Sequence, residues 1–257
     1  MRLSDINLLE SRAELQTIPE GKLLINTINA HSFNVAQKDS LFAEALTKGD
    51  YLIPDGASIV KACRWLKAKS QPKERIAGWD LFAFEMDRLE RNSAQGDAES
   101  ERNKVMFMGS SEKVLNSIRQ KAAINYPNLE VVTYSPPYKQ VFSDEDNAAI
   151  VNAINEADPD LLWIGMTAPK QEKWAYEHWA ELNIHCHVGT IGAVFDFYAG
   201  TMKRAPKWMQ DHALEWLYRL VKEPRRMWRR SLIGNIRFLG NIIRERFSRE
   251  KTFRQAH

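Results

Sequence analysis

Apolar and polar positions alternate along the chain in blocks that predict strands followed by helices. Short β-branched or aromatic runs are typical of buried strands, and stretches with apolar residues three and four positions apart are typical of amphipathic helices. The predicted strands are 21–28, 51–53, 104–108, 129–134, 160–165 and 184–188. The predicted helices are 33–47, 56–68, 80–89, 112–124, 144–156 and 169–182. This alternation indicates an α/β fold with a parallel, doubly wound, Rossmann-like sheet.

Polar and small residues follow several of these strands, in the segments 27–31, 55–56, 109–111, 165–171 and 189–196. Ligands bind beyond the carboxyl ends of the strands in such a sheet, so these segments are the candidates for a site. The sequence contains neither G-x-G-x-x-G nor G-x-x-x-x-G-K-[ST]. A dinucleotide fingerprint and a P-loop are therefore unsupported, whereas a nucleotide diphosphate held by several separate loops fits the pattern.

Charge divides the chain into two parts. Residues 201–257 carry 15 Lys and Arg against 5 Asp and Glu, a balance of +10. Residues 1–200 carry 21 against 28, a balance of −7. We therefore predict a core over residues 1–200 and a basic, helical C-terminal appendage over residues 201–257. An anionic partner at the C-terminal end is expected, either a membrane surface, nucleic acid or a phosphorylated substrate.

No membrane-spanning segment or signal peptide is expected. The first 15 residues lack an apolar core, and the longest weakly charged stretch, 183–201, is interrupted by Asp196, two histidines and three glycines. Any membrane association is therefore expected to be peripheral. Cys63 and Cys186 each lie in an apolar pattern, which favours reduced thiols in a cytoplasmic protein.

The appendage combines cations with aromatic and apolar residues. Its apolar positions at helical spacing are Trp228, Leu232, Ile236, Leu239 and Ile243, and its opposing cations are Arg226, Arg230, Arg237 and Arg244. This pattern is typical of a helix that lies on an anionic membrane surface. The alternative is that the apolar stripe packs on the core or on a second copy of the chain, so a homo-oligomer remains open.

Several motifs, in this order along the chain, resemble the WecG/TagA/CpsF glycosyltransferases. They are Asp55-Gly56, the segments 74–81 (ERIAGWDL), 165–172 (GMTAPKQE) and 192–200, and then KRAP at 203–206, LEWLYRL at 214–220 and Glu223-Pro224. The resemblance covers nearly the whole chain from about residue 21. The chain departs from the family pattern at Thr167-Ala168 and Thr190-Ile191, which bears on the identity of the donor sugar.

The resemblance implies an inverting bacterial enzyme with a Rossmann-like, nucleotide-sugar-binding core. It would move a hexose from UDP-ManNAc, UDP-ManNAcA or UDP-glucose to a polyprenyl-diphosphate-linked sugar during surface-polysaccharide biosynthesis. The expected partners are this donor, this acceptor and the anionic inner face of the cell membrane, with no cofactor and no nucleic acid. Two alternatives from the residues are a nucleic-acid-binding protein that uses the basic aromatic tail and a nicotinamide-dependent dehydrogenase.

The reaction that the resemblance implies needs a base for the acceptor hydroxyl and cations for the departing diphosphate. Asp55 is the predicted base, because it follows a strand and matches an aspartate implicated in catalysis in the family. Its alternative role is a turn or N-cap aspartate before helix 56–68. Arg219, Arg226 and Arg229 match cations of the family's appendage and are predicted to reach the diphosphate.

Uncharged hydrogen-bonding residues are predicted to bind the sugar or the uracil. Thr27, Asn29 and Gln171 all follow strands, and the resemblance assigns a substrate-site role to Thr27 and Gln171. For Asn29, a purely local role in a turn is an equally good interpretation.

Two charged residues complete the predicted substrate site. Arg75 is predicted to bind a phosphate or carboxylate of the substrate, with a surface salt bridge to Glu74 or Asp80 as the alternative. Asp196 is the second candidate for the base, and a buried, hydrogen-bonded structural aspartate is its alternative.

A metal-independent reaction is predicted. Asp158-Pro159-Asp160 has the D-x-D form but precedes its strand, so it should lie at the opposite edge of the sheet. His185 and His187 share one face of the predicted strand 184–188, but two ligands alone are weak evidence for a metal site.

Overall fold

A computed structural model of the chain describes residues 1–94, 103–203, 205–206, 208–209, 215–222 and 233–255. The strands are β1 (Leu23–Ile28), β2 (Tyr51–Pro54), β3 (Lys104–Gly109), β4 (Glu130–Tyr134), β5 (Leu161–Gly165) and β6 (His187–Thr190). The longer helices are α1 (Ala30–Ala36), α2 (Ser40–Lys48), α3 (Ala57–Leu66), α4 (Gly78–Ala94), α5 (Glu112–Asn125), α6 (Asp144–Ala157), α7 (Lys170–Glu177), α8 (Gly192–Ala199), α9 (Glu215–Lys222) and α10 (Gly234–Gln255).

All six strands form one sheet in the order β2-β1-β6-β5-β3-β4, and every neighbouring pair is parallel. The predicted α/β class, with a Rossmann-like parallel sheet, is confirmed. Because the strands are parallel, all of their carboxyl ends lie at one edge of the sheet. The ends of β2, β1, β6 and β5 follow one another along that edge, which places most of the predicted site residues side by side.

Apart from the edge strand β4, whose residues are exposed or half-buried, the sheet is largely buried on both faces, as a parallel sheet requires. Alternate residues of each strand face opposite layers. One layer contains Ile25, Phe107 and Trp163 together with side chains of α4, α5 and α8. The other layer contains Val188 and Ile164 together with side chains of α1, α3, α6 and α7. The strands therefore read as continuous apolar runs in the sequence.

The predicted helix 33–47 is wrong in one respect, because it consists of two helices. Asp39 interrupts it by capping α2, where its Oδ1 accepts a hydrogen bond from Phe42 N at 2.9 Å. The predicted helix 169–182 is also shorter than expected. It ends at Glu177 and is followed by a 3₁₀ turn over Trp179–Glu181.

The last strand begins later than predicted, at His187 rather than at residue 184. Its pairing with β1 starts at His187, opposite Leu23. His185 is therefore exposed ahead of the strand, whereas His187 is buried with Nδ1 3.0 Å from Glu85 Oε1 and Nε2 2.8 Å from Pro19 O. The expectation that His185 and His187 share a strand face is wrong, and His187 serves to join α4 and the N-terminal segment to the sheet.

The C-terminal helix α10 packs on the core through one of its faces. Phe238 is buried and meets Phe33 of α1 edge to face, with ring centroids 5.5 Å apart. Glu245 is also buried, and its carboxylate accepts hydrogen bonds from Leu3 N at 3.0 Å and Ser4 N at 2.7 Å. The two ends of the chain are thus joined. No helix in the parts of the chain that the structure describes combines the length and apolarity needed to cross a bilayer.

Candidate active site

Asp55 and Arg75 meet at the carboxyl end of β2. Asp55 directly follows the strand, and its N–H donates to Ile28 O of the neighbouring strand at 2.8 Å. The chain after α3 folds back across this end, where Ile76 N donates to Pro54 O at 3.1 Å. This backbone contact brings the Arg75 side chain over the Asp55 carboxylate.

The pair is close and partly accessible. Arg75 Nε and Nη2 lie 3.2 and 3.1 Å from Asp55 Oδ1, and each side chain is about one quarter exposed. The alternative pairing of Arg75 with Glu74 or Asp80 is not what the structure contains. Both acids instead pair with Arg12, at 3.4 and 3.3 Å. Arg75 therefore contacts the carboxylate that is the first candidate for the base.

Asn29 and Asp55 follow adjacent strands but play different local roles. Asn29 is the N-cap of α1, and its Oδ1 accepts from His31 N and Ser32 N, both at 3.0 Å. The local role that the sequence allowed for Asn29 is therefore present. The N-cap of α3 is Gly56, so Asp55 lies one residue before the cap of that helix.

Thr27 lies near the carboxyl end of β1, opposite Ile53 of β2, and is half-buried. It packs against the start of α4, where a Cβ added to Gly78 would lie 3.7 Å from Thr27 Cγ2. The same added atom would lie 3.6 Å from Val194 Cγ2 of α8. Thr27 therefore stands where β1, α4 and α8 converge.

Gln171 joins the loops that follow β5 and β6. It is 4% exposed in the first turn of α7, and its Oε1 accepts from Met166 N and Gly192 N, both at 3.1 Å. A Cβ at Gly192 would lie only 2.1 Å from Met166 O, so this close approach requires glycine. The predicted substrate-site residue thus holds two loops of the site together.

Glu172, beside Gln171, was missed by the sequence analysis. Its side chain is 2% exposed, and its Oε1 accepts from Gln171 Nε2 at 2.9 Å. Burial raises the pKa of the Glu172 carboxyl to about 7, although the Gln171 N–H acts in the opposite direction. In the sequence, Glu172 resembles an ordinary acid in a first helical turn, and its place at the end of the motif 165–172, next to Gln171, is the signal that could have drawn attention to it.

Asp196 lies one turn into α8 and is half-buried rather than enclosed. Its Oδ1 accepts from Thr201 Oγ1 at 3.1 Å, and its backbone carbonyl accepts from Met202 N at 3.2 Å. These contacts join the end of α8 to the start of the appendage. The hydrogen-bonded, structural alternative for Asp196 is thus represented in the structure.

The predicted cations of the appendage are only partly within the described residues. Arg219 lies in α9, whereas Arg226 and Arg229 lie outside the described residues. Asp158 and Asp160 precede β5, as expected, and Asp160 Oδ2 accepts from Lys104 N at 2.9 Å at the amino edge of the sheet. Among the residues with described positions, no group of three or more His, Cys, Asp or Glu side chains could hold a metal ion.

The geometry gathers a carboxylate, a guanidinium and several neutral hydrogen-bonding groups at one edge of the sheet. Asp55 and Arg75 lie at the end of β2, Thr27 and Asn29 at β1, and Gln171 between β6 and β5. A carboxylate can remove a proton, a guanidinium can bind a phosphate, and the loop N–H groups can orient a polar ligand. This set is suited to a group-transfer reaction on a phosphorylated substrate.

Comparisons with known proteins agree with this chemistry. The model of the glycosyl transferase WecG/TagA/CpsF family matches residues 2–252. The chain is 30% identical over 209 residues to the N-acetylglucosaminyldiphosphoundecaprenol N-acetyl-beta-D-mannosaminyltransferase of Bacillus subtilis (strain 168), covering 81% of this chain and 75% of that protein. Proteins of the same name match at 27% in Bacillus spizizenii (89% and 82% covered) and 28% in Staphylococcus aureus strain MW2 (80% and 75% covered). The chain therefore belongs to the WecG/TagA/CpsF family of glycosyl transferases.

Proposed function

We propose that this chain transfers a hexose, with inversion, from a UDP-sugar to a polyprenyl-diphosphate-linked sugar at the inner face of the bacterial cell membrane. The observation that carries the proposal is the Asp55–Arg75 pair, which lies at the carboxyl edge of the sheet. The chain that contains this pair belongs to a glycosyl transferase family. The names of the similar proteins support an acceptor in which a sugar is linked through diphosphate to a polyprenol.

In the proposed reaction, Asp55 acts as the general base. It takes the proton of the acceptor hydroxyl as that oxygen forms a bond to the anomeric carbon of the donor sugar. The bond between the anomeric carbon and the diphosphate oxygen breaks, and UDP leaves with the electron pair. Attack from the side opposite to UDP inverts the anomeric configuration. The partial exposure of Asp55 supports this role because an acceptor must reach the carboxylate.

Arg75 is proposed to change partners during donor binding. Its contact with Asp55 occupies one oxygen of the carboxylate that would take the proton. A diphosphate carries more charge than one carboxylate and presents several oxygens to a guanidinium. Movement of Arg75 from Asp55 to the diphosphate would therefore activate the base only when the donor is bound.

Arg219, Arg226 and Arg229 are proposed to supply further positive charge to the departing UDP. We propose that four residues position the donor and the acceptor: Thr27, Asn29, Gln171 and Asp196. Asn29 and Gln171 would do so by fixing the loops around the site. We propose a metal-independent reaction. Addition of EDTA should therefore leave the rate of UDP release unchanged, and a loss that Mg²⁺ or Mn²⁺ reverses would contradict it.

Residues 201–257 are proposed to hold the enzyme on an anionic membrane surface. On α10, the face opposite the buried Phe238 is apolar and exposed, with exposed fractions of 73% for Ile236, 56% for Leu239 and 59% for Phe247. The exposed cations Arg237 and Arg244 border this face. An apolar stripe flanked by arginines suits the boundary between acyl chains and anionic head groups.

The test is a reaction of the full-length protein with a short-chain polyprenyl-diphosphate-linked N-acetylglucosamine and each donor in turn. UDP-ManNAc, UDP-ManNAcA and UDP-glucose are the donors to compare, with UDP release as the measurement. We expect release that requires both the acceptor and one of these donors. No release with any of the pairs, from protein that is folded by circular dichroism, would refute the proposal for these substrates.

A further inference from the structure

The amide of Gln171 has one favourable orientation. Its oxygen accepts from Met166 N and Gly192 N, which uses both lone pairs. An amide turned by half a rotation would present NH₂ to two N–H donors and separate the loops that it joins. A partner on the other side of the amide that accepts from the NH₂ group would stabilise the same orientation.

Glu172 is that partner. Its Oε1 lies 2.9 Å from Gln171 Nε2 and accepts its hydrogen, which only an NH₂ group at that position could supply. Both side chains are almost completely buried, at 4% and 2% exposed, so water does not compete for this contact. The carboxyl group therefore favours the orientation in which the NH₂ group of the amide faces Glu172 and the amide oxygen faces the two loops.

A carboxyl group is an unfavourable choice at this position if packing alone is required. Glu172 Oε2 is buried, and no described residue forms a hydrogen bond with it. A buried polar atom without a partner reduces stability, and a methionine of similar length would avoid that penalty. The carboxyl therefore leaves one oxygen without a partner while its other oxygen provides the acceptor for Gln171 Nε2.

We infer that Glu172 is a positioning residue that orients the Gln171 amide and so fixes the backbones of Met166 and Gly192 at the carboxyl edge of the sheet. Gly192 begins α8, which carries Asp196, and Met166 begins the loop between β5 and α7. Both backbones border the ends of β5 and β6, so their placement sets the shape of the proposed donor site. The effect on catalysis rests on the proposed function, whereas the effect on the two loops does not.

The first test measures the loops without any substrate. Glu172→Met removes the acceptor and keeps the side-chain length, while Glu172→Gln restores an oxygen for Gln171 Nε2. We expect hydrogen exchange of the Met166 and Gly192 amides to accelerate about 10-fold or more in Glu172→Met and to stay near wild type in Glu172→Gln. Unchanged exchange in Glu172→Met would overturn the inference, even if no sugar donor had been found.

The second test separates positioning from stability. We expect Glu172→Met to fold, yet to raise the KM for the UDP-sugar about 10-fold with a smaller change in kcat. Glu172→Gln should restore the KM. Glu85→Met is the matched control, since Glu85 is also buried but lies at the opposite edge of the sheet beside His187. It should lower the melting temperature and leave the KM unchanged.

A double-mutant cycle with Gln171→Met decides whether Glu172 acts through Gln171. The double variant should have a kcat/KM within about twofold of Gln171→Met alone, because the amide that Glu172 orients is already gone. If the decreases in kcat/KM of the two single variants multiply in the double variant, the two residues have independent roles and the inference is overturned. If Glu172→Met fails to fold, Glu172→Leu replaces it in the same cycle. The values of kcat/KM for Glu172→Leu and for Glu172→Gln then decide between the two outcomes.

Discussion

Arg75 directs two donors, Nε and Nη2, at the same oxygen of Asp55, from 3.2 and 3.1 Å. A base that is already paired with a cation is held in its ionised form but is weak until the cation moves away. The substrate with the most suitable charge to draw Arg75 away is a diphosphate. In the proposed reaction, the pair would link the binding of the donor to the activation of the acceptor.

Replacement of Asp55 by Asn should abolish most of the transfer activity, because an amide cannot accept the hydroxyl proton. We expect kcat to fall about 10²- to 10⁴-fold, with little change in the KM for the donor. UDP release gives the rate, and circular dichroism checks that the variant is folded. Turnover within about threefold of the wild type would refute the assignment of Asp55 as the base.

Replacement of Arg75 by Lys should weaken donor binding. Lysine keeps the charge but loses the planar fork that can bind two oxygens at once, so we expect the KM for the UDP-sugar to rise about 10-fold. Arg12→Lys is the matched control, because Arg12 pairs with Glu74 and Asp80 nearby and does not contact Asp55 in the structure. An equal rise in both variants would show a general electrostatic effect rather than a specific one.

The stability of the protein should decrease between about pH 4.5 and pH 7 through Glu172. The carboxyl has a pKa of about 7 in the folded chain against 4.5 for an ordinary glutamate, so across this window the folded state retains a proton that the unfolded state has lost. Stability is therefore lost as pH rises and levels off above about 7, by about 3 kcal/mol in total.

Urea unfolding at about pH 5 and about pH 8 measures this contribution. Glu172→Gln cannot ionise and should lack it, so the variant should gain stability over the wild type at the higher pH. The same pH dependence in the wild type and in Glu172→Gln would show that Glu172 is not the titrating group.

Binding to anionic vesicles should depend on the exposed face of α10. The double substitution Leu239→Ser and Phe247→Ser removes two exposed apolar side chains, and we expect binding to phosphatidylglycerol vesicles to fall about 10-fold or more. Ile124→Ser is the matched control, because Ile124 is 79% exposed on α5 rather than on α10. Unchanged vesicle binding in the double variant would exclude this face of α10 as the contact.

Replacement of Glu245 by Ala should destabilise the fold without touching the site. It leaves the buried N–H groups of Leu3 and Ser4 without their acceptor, and we expect a loss of about 1–3 kcal/mol in the free energy of unfolding. Glu112→Ala removes an exposed surface ion pair and should change stability by less than about 1 kcal/mol. Equal stability of the two variants in urea would contradict the proposed importance of the joined termini.

The sequence predicts the sheet well because its strands are buried on both faces and stand out as apolar runs. The prediction from sequence is wrong where a single polar residue ends or starts a helix or strand. The apolar spacing of Leu41, Phe42, Ala45 and Leu46 continues that of Val35, so the cap at Asp39 that separates α1 from α2 was not predicted. Similarly, the apolar residues 184–188 resemble a strand, but pairing with β1 begins only at His187.

The candidate site is predictable to the same extent. The residues after each strand could be chosen because parallel strands end at one edge, which holds for Thr27, Asn29 and Asp55. The partner of Arg75 could not be predicted, since it depends on a loop that folds back over β2 through a contact between Ile76 and Pro54. Glu172 was not predicted for a related reason. Its burial follows from how α7 packs and not from the spacing of apolar residues around it in the sequence.

The bonds from Leu3 and Ser4 to Glu245 have a consequence for how the protein is made. Leu3 and Ser4 receive their acceptor from a residue 242 and 241 positions further along the chain. A nascent chain that has produced all six strands still has these N–H groups and the ring of Phe33 uncovered until α10 has been translated. Prematurely terminated chains would therefore expose an apolar surface that chaperones and proteases recognise.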